Sequence, residues 1–194
     1  MENTNILLAG VGGQGVLLAS QIFTSVAIEA DLDVKQSEVH GMSQRGGSVT
    51  SHVRFGEKVY SPTIDPGEAD FLIGFERLET LRNVHCLKAG GTIIYNSMRI
   101  NPSTVAAGVA EYPGDVPEQI LAFGEKTFLV DGLGLAEQAG NTRSSNVVMV
   151  GAVSSFLSLP ESLWESKIKE ILPPKLVDLN LKAFHLGRAA VKNS

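Results

Sequence analysis

The sequence contains one cysteine, Cys86, in 194 residues. A lone thiol excludes a disulfide within the chain, and it excludes any iron–sulfur or metal site built from several cysteines of this chain. The sequence also lacks H-x-x-E-H and C-x-x-C spacings, a G-K-S/T phosphate loop, and a serine elbow with histidine and aspartate partners. No catalytic machinery is visible in the chain alone.

Clustered positive charge and long apolar runs are lacking too. The 16 lysines and arginines are scattered and are outnumbered by 21 acidic residues, for a net charge of -5, which argues against nucleic acid as a partner. No apolar stretch reaches the roughly 18 residues that suggest a membrane span. Residues 1–5 hold no positively charged side chain and lead directly into an apolar strand, so no signal peptide is expected. We predict a cytoplasmic protein with no membrane partner.

The composition is that of a globular protein with a substantial core. Hydrophobic residues make up 43% of the chain and charged residues 19%. A length of 194 residues suits one full α/β domain and is short for two domains with a linker. The sequence therefore predicts a single domain over residues 1–194.

A glycine-rich turn stands near the start of the chain. The apolar run Ile6 to Ala9 leads into Gly10-Val11-Gly12-Gly13-Gln14-Gly15, and a helix-like segment follows over residues 16–30. This is a G-x-G-x-x-G match between a strand and a helix, where free N–H groups and the helix dipole favour a phosphate. The predicted roles are a sharp exit from the strand at Gly10, close approach of a ligand at Gly12 and Gly13, and close helix–strand packing at Gly15. A turn that serves packing alone is the alternative.

A second glycine-rich loop follows the second predicted strand, Val34 to His40. Its sequence is Gly41-Met42-Ser43-Gln44-Arg45-Gly46-Gly47-Ser48. Arg45 and the glycine amides suit a phosphate or carboxylate. The same composition also suits a solvated connection, and the residues alone leave both interpretations open.

The remaining pattern predicts a doubly wound α/β fold, Rossmann-like, with a mostly parallel sheet and an added antiparallel hairpin. Strands are expected at residues 69–75, 92–96 and 127–131, with a helix at 76–87 closed by Gly90-Gly91. We assign the hairpin to the alternating segment Val49 to Phe55 and a return strand that starts at residues 59–61.

Polar residues at two further places have candidate roles. Asn96 and Ser97 lie at the carboxyl end of a predicted strand, where open α/β sheets bind ligands. Asn146 opens an apolar helix, where it either caps the first turn or faces a ligand. Gly151 and Ala152 in that helix permit close approach of another helix, so we expect the helix to be buried or to face another subunit.

Taken together, the two loops resemble the gamma-type subunit or domain of the 2-oxoacid:ferredoxin oxidoreductases, and among these most closely the small (beta) subunit of the indolepyruvate enzymes. The residues that match stand in the family's order over nearly the whole chain. They are Gly10 to Val16, Ser37 to Val49, Ser51 to Gly56, and Asn146 to Ala152.

This resemblance implies a subunit that takes part in the oxidative decarboxylation of an aryl 2-oxoacid to an acyl-CoA, with electrons passed to ferredoxin. It implies that a large partner subunit holds thiamine diphosphate and the iron–sulfur clusters, and that this chain helps to bind coenzyme A at a shared site. The chain alone is expected to be catalytically incomplete. When it is isolated, it is expected to form a homodimer. The candidate cofactor-binding residues are Gly10, Gly12, Gly13, Gln14, Gly15, Gln44, Arg45, Gly46, Gly47 and Asn146.

Three alternatives are weaker. A ubiquitin-activating-type adenylating protein uses a similar glycine turn, but it differs in the motif after the second strand. A nicotinamide dehydrogenase needs an acidic residue near the end of that strand, about 20 residues after the glycine turn. Glu38 is the best candidate, although it lies somewhat farther from the turn than that. A non-catalytic nucleotide-binding subunit is the third.

Overall fold

The described residues build a sheet of six strands in the order β2-β3-β1-β4-β5-β6. The computed structural model describes residues 3–41, 46–124 and 126–192. Apolar, β-branched runs form the central strands, as expected for strands buried on both faces. The strands are β1 Thr4–Val11, β2 Asp33–His40, β3 Ser48–Gly56, β4 Ala69–Gly74, β5 Leu87–Asn96 and β6 Lys126–Val130.

The sheet is mostly parallel, and this prediction is confirmed. β1, β4, β5 and β6 are parallel to one another, whereas β3 is antiparallel to both β1 and β2. The carboxyl ends of β1, β4 and β5 therefore meet at one edge of the sheet, where an open α/β sheet places its ligand site.

An antiparallel hairpin is present, but the predicted pairing was wrong. The hairpin joins β2 to β3, and residues 59–61 form no strand. Side chains hold that segment instead: the Val59 amide donates to Asp33 Oδ2 over 3.0 Å, and Arg54 donates to the Thr63 carbonyl over 2.7 Å. Alternation in residues 49–55 reveals a half-buried strand, but it does not identify the partner.

Helices cover both faces of this sheet. Ile6 and Leu8 point into a larger core under α1, α5, α6, α7 and α8, whereas Leu7 and Ala9 point into a smaller core under α2 and α4. The described helices are α1 Val16–Glu29, α2 Arg77–Asn83, α3 Ser103–Ala106, α4 Val116–Phe123, α5 Gly132–Ala139, α6 Ser145–Ser154, α7 Glu161–Ile171 and α8 Pro174–Lys192. None of the helices in the described ranges has the length and apolarity needed to cross a lipid bilayer.

The predicted helix over residues 76–87 is shorter than expected. α2 ends at Asn83, a 3-10 turn covers Val84–Cys86, and β5 then starts at Leu87. Gly90 and Gly91 lie inside β5 rather than closing a helix. The strand begins with an irregular register against β4, and Gly90 has φ 73° there, which explains the glycines at this position.

Candidate functional site

The glycine turn joins β1 to α1 at the carboxyl edge of the sheet. Gly13 and Gly15 have φ angles of 104° and 77°, a left-handed conformation that L side chains rarely adopt. A Cβ on Gly15 would lie 2.5 Å from Asn146 Nδ2. The close packing predicted at Gly15 was between helix and strand, whereas the contact that the structure shows there is with Asn146 of α6. A Cβ on Gly10 would lie 2.9 Å from atoms of Phe75 and Val16, so Gly10 is the glycine that lets the strands and α1 meet.

Gln14 braces this turn from inside. Its Oε1 accepts the Val11 amide hydrogen over 2.7 Å, and its Nε2 donates to the Phe75 carbonyl over 2.8 Å. Nε2 also lies 3.2 Å from Met98 Sδ. The oxygen and the nitrogen of the side-chain amide are therefore both hydrogen-bonded to the protein backbone. These contacts favour a supporting role for Gln14 over direct contact with a ligand.

The second glycine loop is hydrogen-bonded to the first. The Gly12 amide donates to the Gly47 carbonyl over 2.8 Å, and the Gly46 amide donates to the Gly12 carbonyl over 3.3 Å. The two loops therefore form one unit, a contact that their separation in the sequence does not reveal. Gln44 and Arg45 lie outside the described residues.

Asn146 lies on the other side of the turn. It is buried, and its Nδ2 donates to the Gly15 carbonyl over 3.3 Å, so it joins α6 to the start of α1 across 131 residues of sequence. Asn96, at the end of β5, supports the same corner. Its Oδ1 accepts the Gly132 amide over 3.2 Å, and its Nδ2 donates to Ser145 Oγ over 3.1 Å.

Between the glycine turn, α6 and α8 lies a cleft of about 810 Å³. This is within the range of pockets that bind cofactors and small ligands. The glycine turn and the end of β5 form one side, and the residues before α6 and at the start of α8 form the other. The cleft is lined by Gly13, Gln14, Gly15, Leu18, Phe75, Asn96, Met98, Asn141, Thr142, Arg143, Ser144, Ser145, Asn146, Leu172, Lys175, Leu176 and Asn180.

The electrostatics of this cleft favour an anion. Arg143 and Lys175 line it, and the described lining residues include neither aspartate nor glutamate. α1 and α6 both begin at the cleft, and neither N-cap residue, Gly15 or Ser144, caps its helix with a side-chain hydrogen bond. The positive ends of two helix dipoles thus lie at the same cleft.

Sequence reasoning did not single out Arg143 and Lys175. Arg143 precedes α6 within a polar stretch and carries no motif of its own. Lys175 belongs to the first turn of α8, which begins at Pro174. Proline is well tolerated at the first position of a helix, which is the signal that would have placed Lys175 near a helix start.

A smaller cleft of about 510 Å³ lies beside the same turn and is lined in part by Glu38 and His40. Both residues are on β2, at the edge of the sheet, with β3 between β2 and β1. In a dinucleotide-binding fold the strand with the ribose-binding acid lies directly beside the first strand. The observed strand order therefore differs from that of a nicotinamide dehydrogenase.

Residues 5–190 match the family model described as pyruvate ferredoxin/flavodoxin oxidoreductase. The chain is 43% identical over 199 residues to the indolepyruvate oxidoreductase subunit IorB of Thermococcus kodakarensis, with 99% of this chain and 98% of that protein covered.

Two solved structures share its fold. One is a keto/oxoacid ferredoxin oxidoreductase gamma subunit from Geobacter sulfurreducens, with a TM-score of 0.74, 24% identity, and 98% and 99% of the two chains covered. The other is a 2-oxoglutarate:ferredoxin oxidoreductase from Magnetococcus marinus, described with 2-oxoglutarate, coenzyme A and succinyl-CoA bound. It has a TM-score of 0.77 at 22% identity, and the match covers 100% of this chain and 32% of that one. Since the family model spans nearly the whole sequence, the chain belongs to the pyruvate ferredoxin/flavodoxin oxidoreductase family.

Proposed function

We propose that the chain is the small subunit of an indolepyruvate:ferredoxin oxidoreductase. The enzyme would decarboxylate an aryl 2-oxoacid oxidatively, form an acyl-CoA and pass the electrons to ferredoxin. The proposal is supported by 43% identity along 99% of the chain to a subunit named for indolepyruvate. The match over residues 5–190 supports treating residues 1–194 as one gamma-type domain.

The chain's own contribution, in this proposal, is to bind coenzyme A. The observation that supports it is the cleft with two uncapped helix starts, Arg143 and Lys175, and no carboxylate among its described lining residues. Coenzyme A offers a pyrophosphate and a 3'-phosphate, which such groups suit. The backbone at Gly10, Gly12, Gly13 and Gly15 would shape the phosphate site.

The rest of the site would come from a large partner subunit. One cysteine cannot ligate an iron–sulfur cluster, which usually needs four thiolates, so the donor set of this chain does not fit a cluster. We therefore assign the clusters and thiamine diphosphate to the partner. Three predictions from the sequence stay predictions. The loop that holds Gln44 and Arg45 is expected to contact coenzyme A or the partner subunit, the isolated chain is expected to form a homodimer, and the protein is expected to be cytoplasmic.

Neutral variants of the two cleft cations test the coenzyme A assignment. In the assembled enzyme, Arg143→Gln and Lys175→Gln should each raise the KM for coenzyme A about tenfold, because a charge-assisted hydrogen bond contributes about 1.5–3 kcal/mol. The kcat at saturating coenzyme A should stay within about twofold, since the interaction is the same in ground and transition states. Rates of 2-oxoacid-dependent viologen reduction give both constants.

Lys182→Gln is the matched control, because Lys182 is exposed on α8 and does not line the cleft. An unchanged KM for coenzyme A in both cleft variants would refute the assignment. If they leave KM unchanged while ATP binding by the complex weakens, the chain is a non-catalytic nucleotide-binding subunit. The family assignment gives no support to the alternative of an adenylating protein. An adenylating activity would be detected as ATP-dependent pyrophosphate exchange.

A further inference from the structure

Glu79 is a buried carboxylate, and its burial is not explained by a place in the lining of the cleft. It lies in the first turn of α2, is 4% exposed, and does not line the cleft. Burial of a carboxylate is costly unless the group is paired and hydrogen-bonded. Glu79 has two such partners: Ser48 Oγ donates to its Oε2 over 2.5 Å, and the Arg82 guanidinium lies 3.3 Å from its Oε1.

Ser48 connects this carboxylate to the glycine turn. It is the first residue of β3 and stands opposite Val11 in the ladder between β1 and β3. The residue before it, Gly47, accepts the Gly12 amide hydrogen over 2.8 Å. A continuous path of one side-chain hydrogen bond, one peptide unit and one backbone hydrogen bond therefore runs from Glu79 to Gly12.

The same turn of α2 also holds the opposite side of the site. Glu76, 1% exposed, accepts the Ile100 amide over 3.1 Å and the Tyr112 hydroxyl over 2.8 Å. Burial and the Glu76 hydrogen bond raise the pKa of the Tyr112 hydroxyl, which keeps it a donor. The Arg77 amide donates to the carbonyl of Met98, a residue that lines the cleft and contacts Gln14.

We propose that Glu79 is a positioning residue for the coenzyme A site, acting through Ser48 and Gly47 to hold the Gly12 peptide in place. The inference rests on the proposed function. A turn that is already held in its bound geometry binds its ligand without a further ordering cost. Loss of Glu79 therefore weakens coenzyme A binding and leaves the chemical step intact.

Three variants in the assembled enzyme test this role. Glu79→Ala removes the acceptor, and Ser48→Ala removes the donor from an exposed position, which keeps the test valid if the first variant fails to fold. Glu79→Gln keeps an oxygen that accepts from Ser48. Ser162→Ala, exposed on α7, is the matched control for the serine change.

Two measurements are made on each variant. Hydrogen exchange, read by mass spectrometry on peptides that contain Gly12, should be about tenfold faster in Glu79→Ala and Ser48→Ala, as expected for about 1.4 kcal/mol. The KM for coenzyme A should rise about five- to tenfold with kcat within about twofold. Glu79→Gln and Ser162→Ala should match the unmodified enzyme in both.

Unchanged exchange at Gly12 in Ser48→Ala would overturn the proposal, and so would a loss of kcat with KM unchanged. The proposal would also be overturned if Glu79→Gln did not keep the exchange rate at Gly12 and the KM for coenzyme A of the unmodified enzyme. That result would show that the charge of Glu79 matters rather than its hydrogen bond to Ser48. The exchange measurement needs no coenzyme A. If the Arg143 and Lys175 variants leave KM unchanged while exchange still responds to Ser48→Ala, the coenzyme A assignment fails and the positioning of the Gly12 peptide stands.

Discussion

At the scale of single residues, Gln14 shows how a side chain within a glycine-rich motif holds the shape of the turn. Its amide oxygen accepts from Val11, and its amide nitrogen donates to the Phe75 carbonyl at the end of β4. The glycines allow the turn its shape but cannot hold it, because glycine has the largest conformational freedom to lose. Gln14 supplies that restraint from within the loop.

Replacement of Gln14 by alanine should therefore lower the free energy of unfolding by about 1–2 kcal/mol, since two backbone groups lose their partner. Gln14→Glu should be at least as damaging, because a carboxylate oxygen would then face the Phe75 carbonyl oxygen. Chemical denaturation of the full chain measures both. Gln119→Ala, at an exposed position of α4, is the control and should change stability by less than about 0.5 kcal/mol. A Gln14→Ala variant as stable as this control would contradict the bracing role.

At the scale of elements, α6 and α8 pack against each other through a reciprocal pair of glycines. A Cβ on Gly151 would overlap the Phe184 carbonyl, and a Cβ on Gly187 would overlap the Val148 carbonyl. The backbones thus meet directly. This contact sets the position of α6, whose first turn presents Asn146 to Gly15, and of α8, whose first turn presents Lys175 to the cleft.

A methyl group at this contact should loosen the helix pair. Gly151→Ala is expected to lower stability by about 2–3 kcal/mol, because backbone cannot move aside as a side chain can. This corresponds to a fall in Tm of about 5–10 °C for a chain of this size. Gly114→Ala, with no atom within 4 Å of the added Cβ, is the matched control. Thermal unfolding that is the same in the two variants would show that the helices separate at little cost.

The positions of single helices and strands were easier to predict than the pairing of the strands. The strands β4 and β6 lie within one residue of the ranges that the sequence predicts, because their short apolar runs are a local signal. The predicted partner of the strand at residues 49–55 was wrong, since alternation identifies a half-buried strand and only tertiary contacts decide which strand pairs with it. Side chains such as Asp33, which binds the Val59 amide, leave no periodic signal.

The candidate site divides in the same way. The glycine turn carries its own sequence signature, because its φ angles admit few other residues. Lys175 and Glu79 carry none, since each depends on a helix packing at a particular angle against residues more than thirty positions away. Sequence therefore locates the glycine turn, and the fold adds the two cations of the cleft and the buried carboxylate of Glu79.

At the scale of the whole molecule, the binding features gather at one edge while the groups for electron transfer are lacking in the sequence. Glycine loops, helix starts and cations meet at the carboxyl edge of the sheet. A single cysteine leaves the chain unable to hold an iron–sulfur cluster. Binding and chemistry are therefore expected to belong to different chains.

Separation and reassembly of the two subunits test this division. The isolated chain should show no 2-oxoacid-dependent viologen reduction above the blank and no visible absorbance from an iron–sulfur cluster. The reason is that thiamine diphosphate and the clusters are assigned to the large subunit. The large subunit alone should carry the cluster absorbance but turn over poorly with coenzyme A, since the anion cleft is missing. Mixing the two should restore coenzyme A-dependent reduction, and a mixture made with the Arg143→Gln chain should need about tenfold more coenzyme A. A large subunit that is fully active on its own would show that the cleft has no part in the reaction.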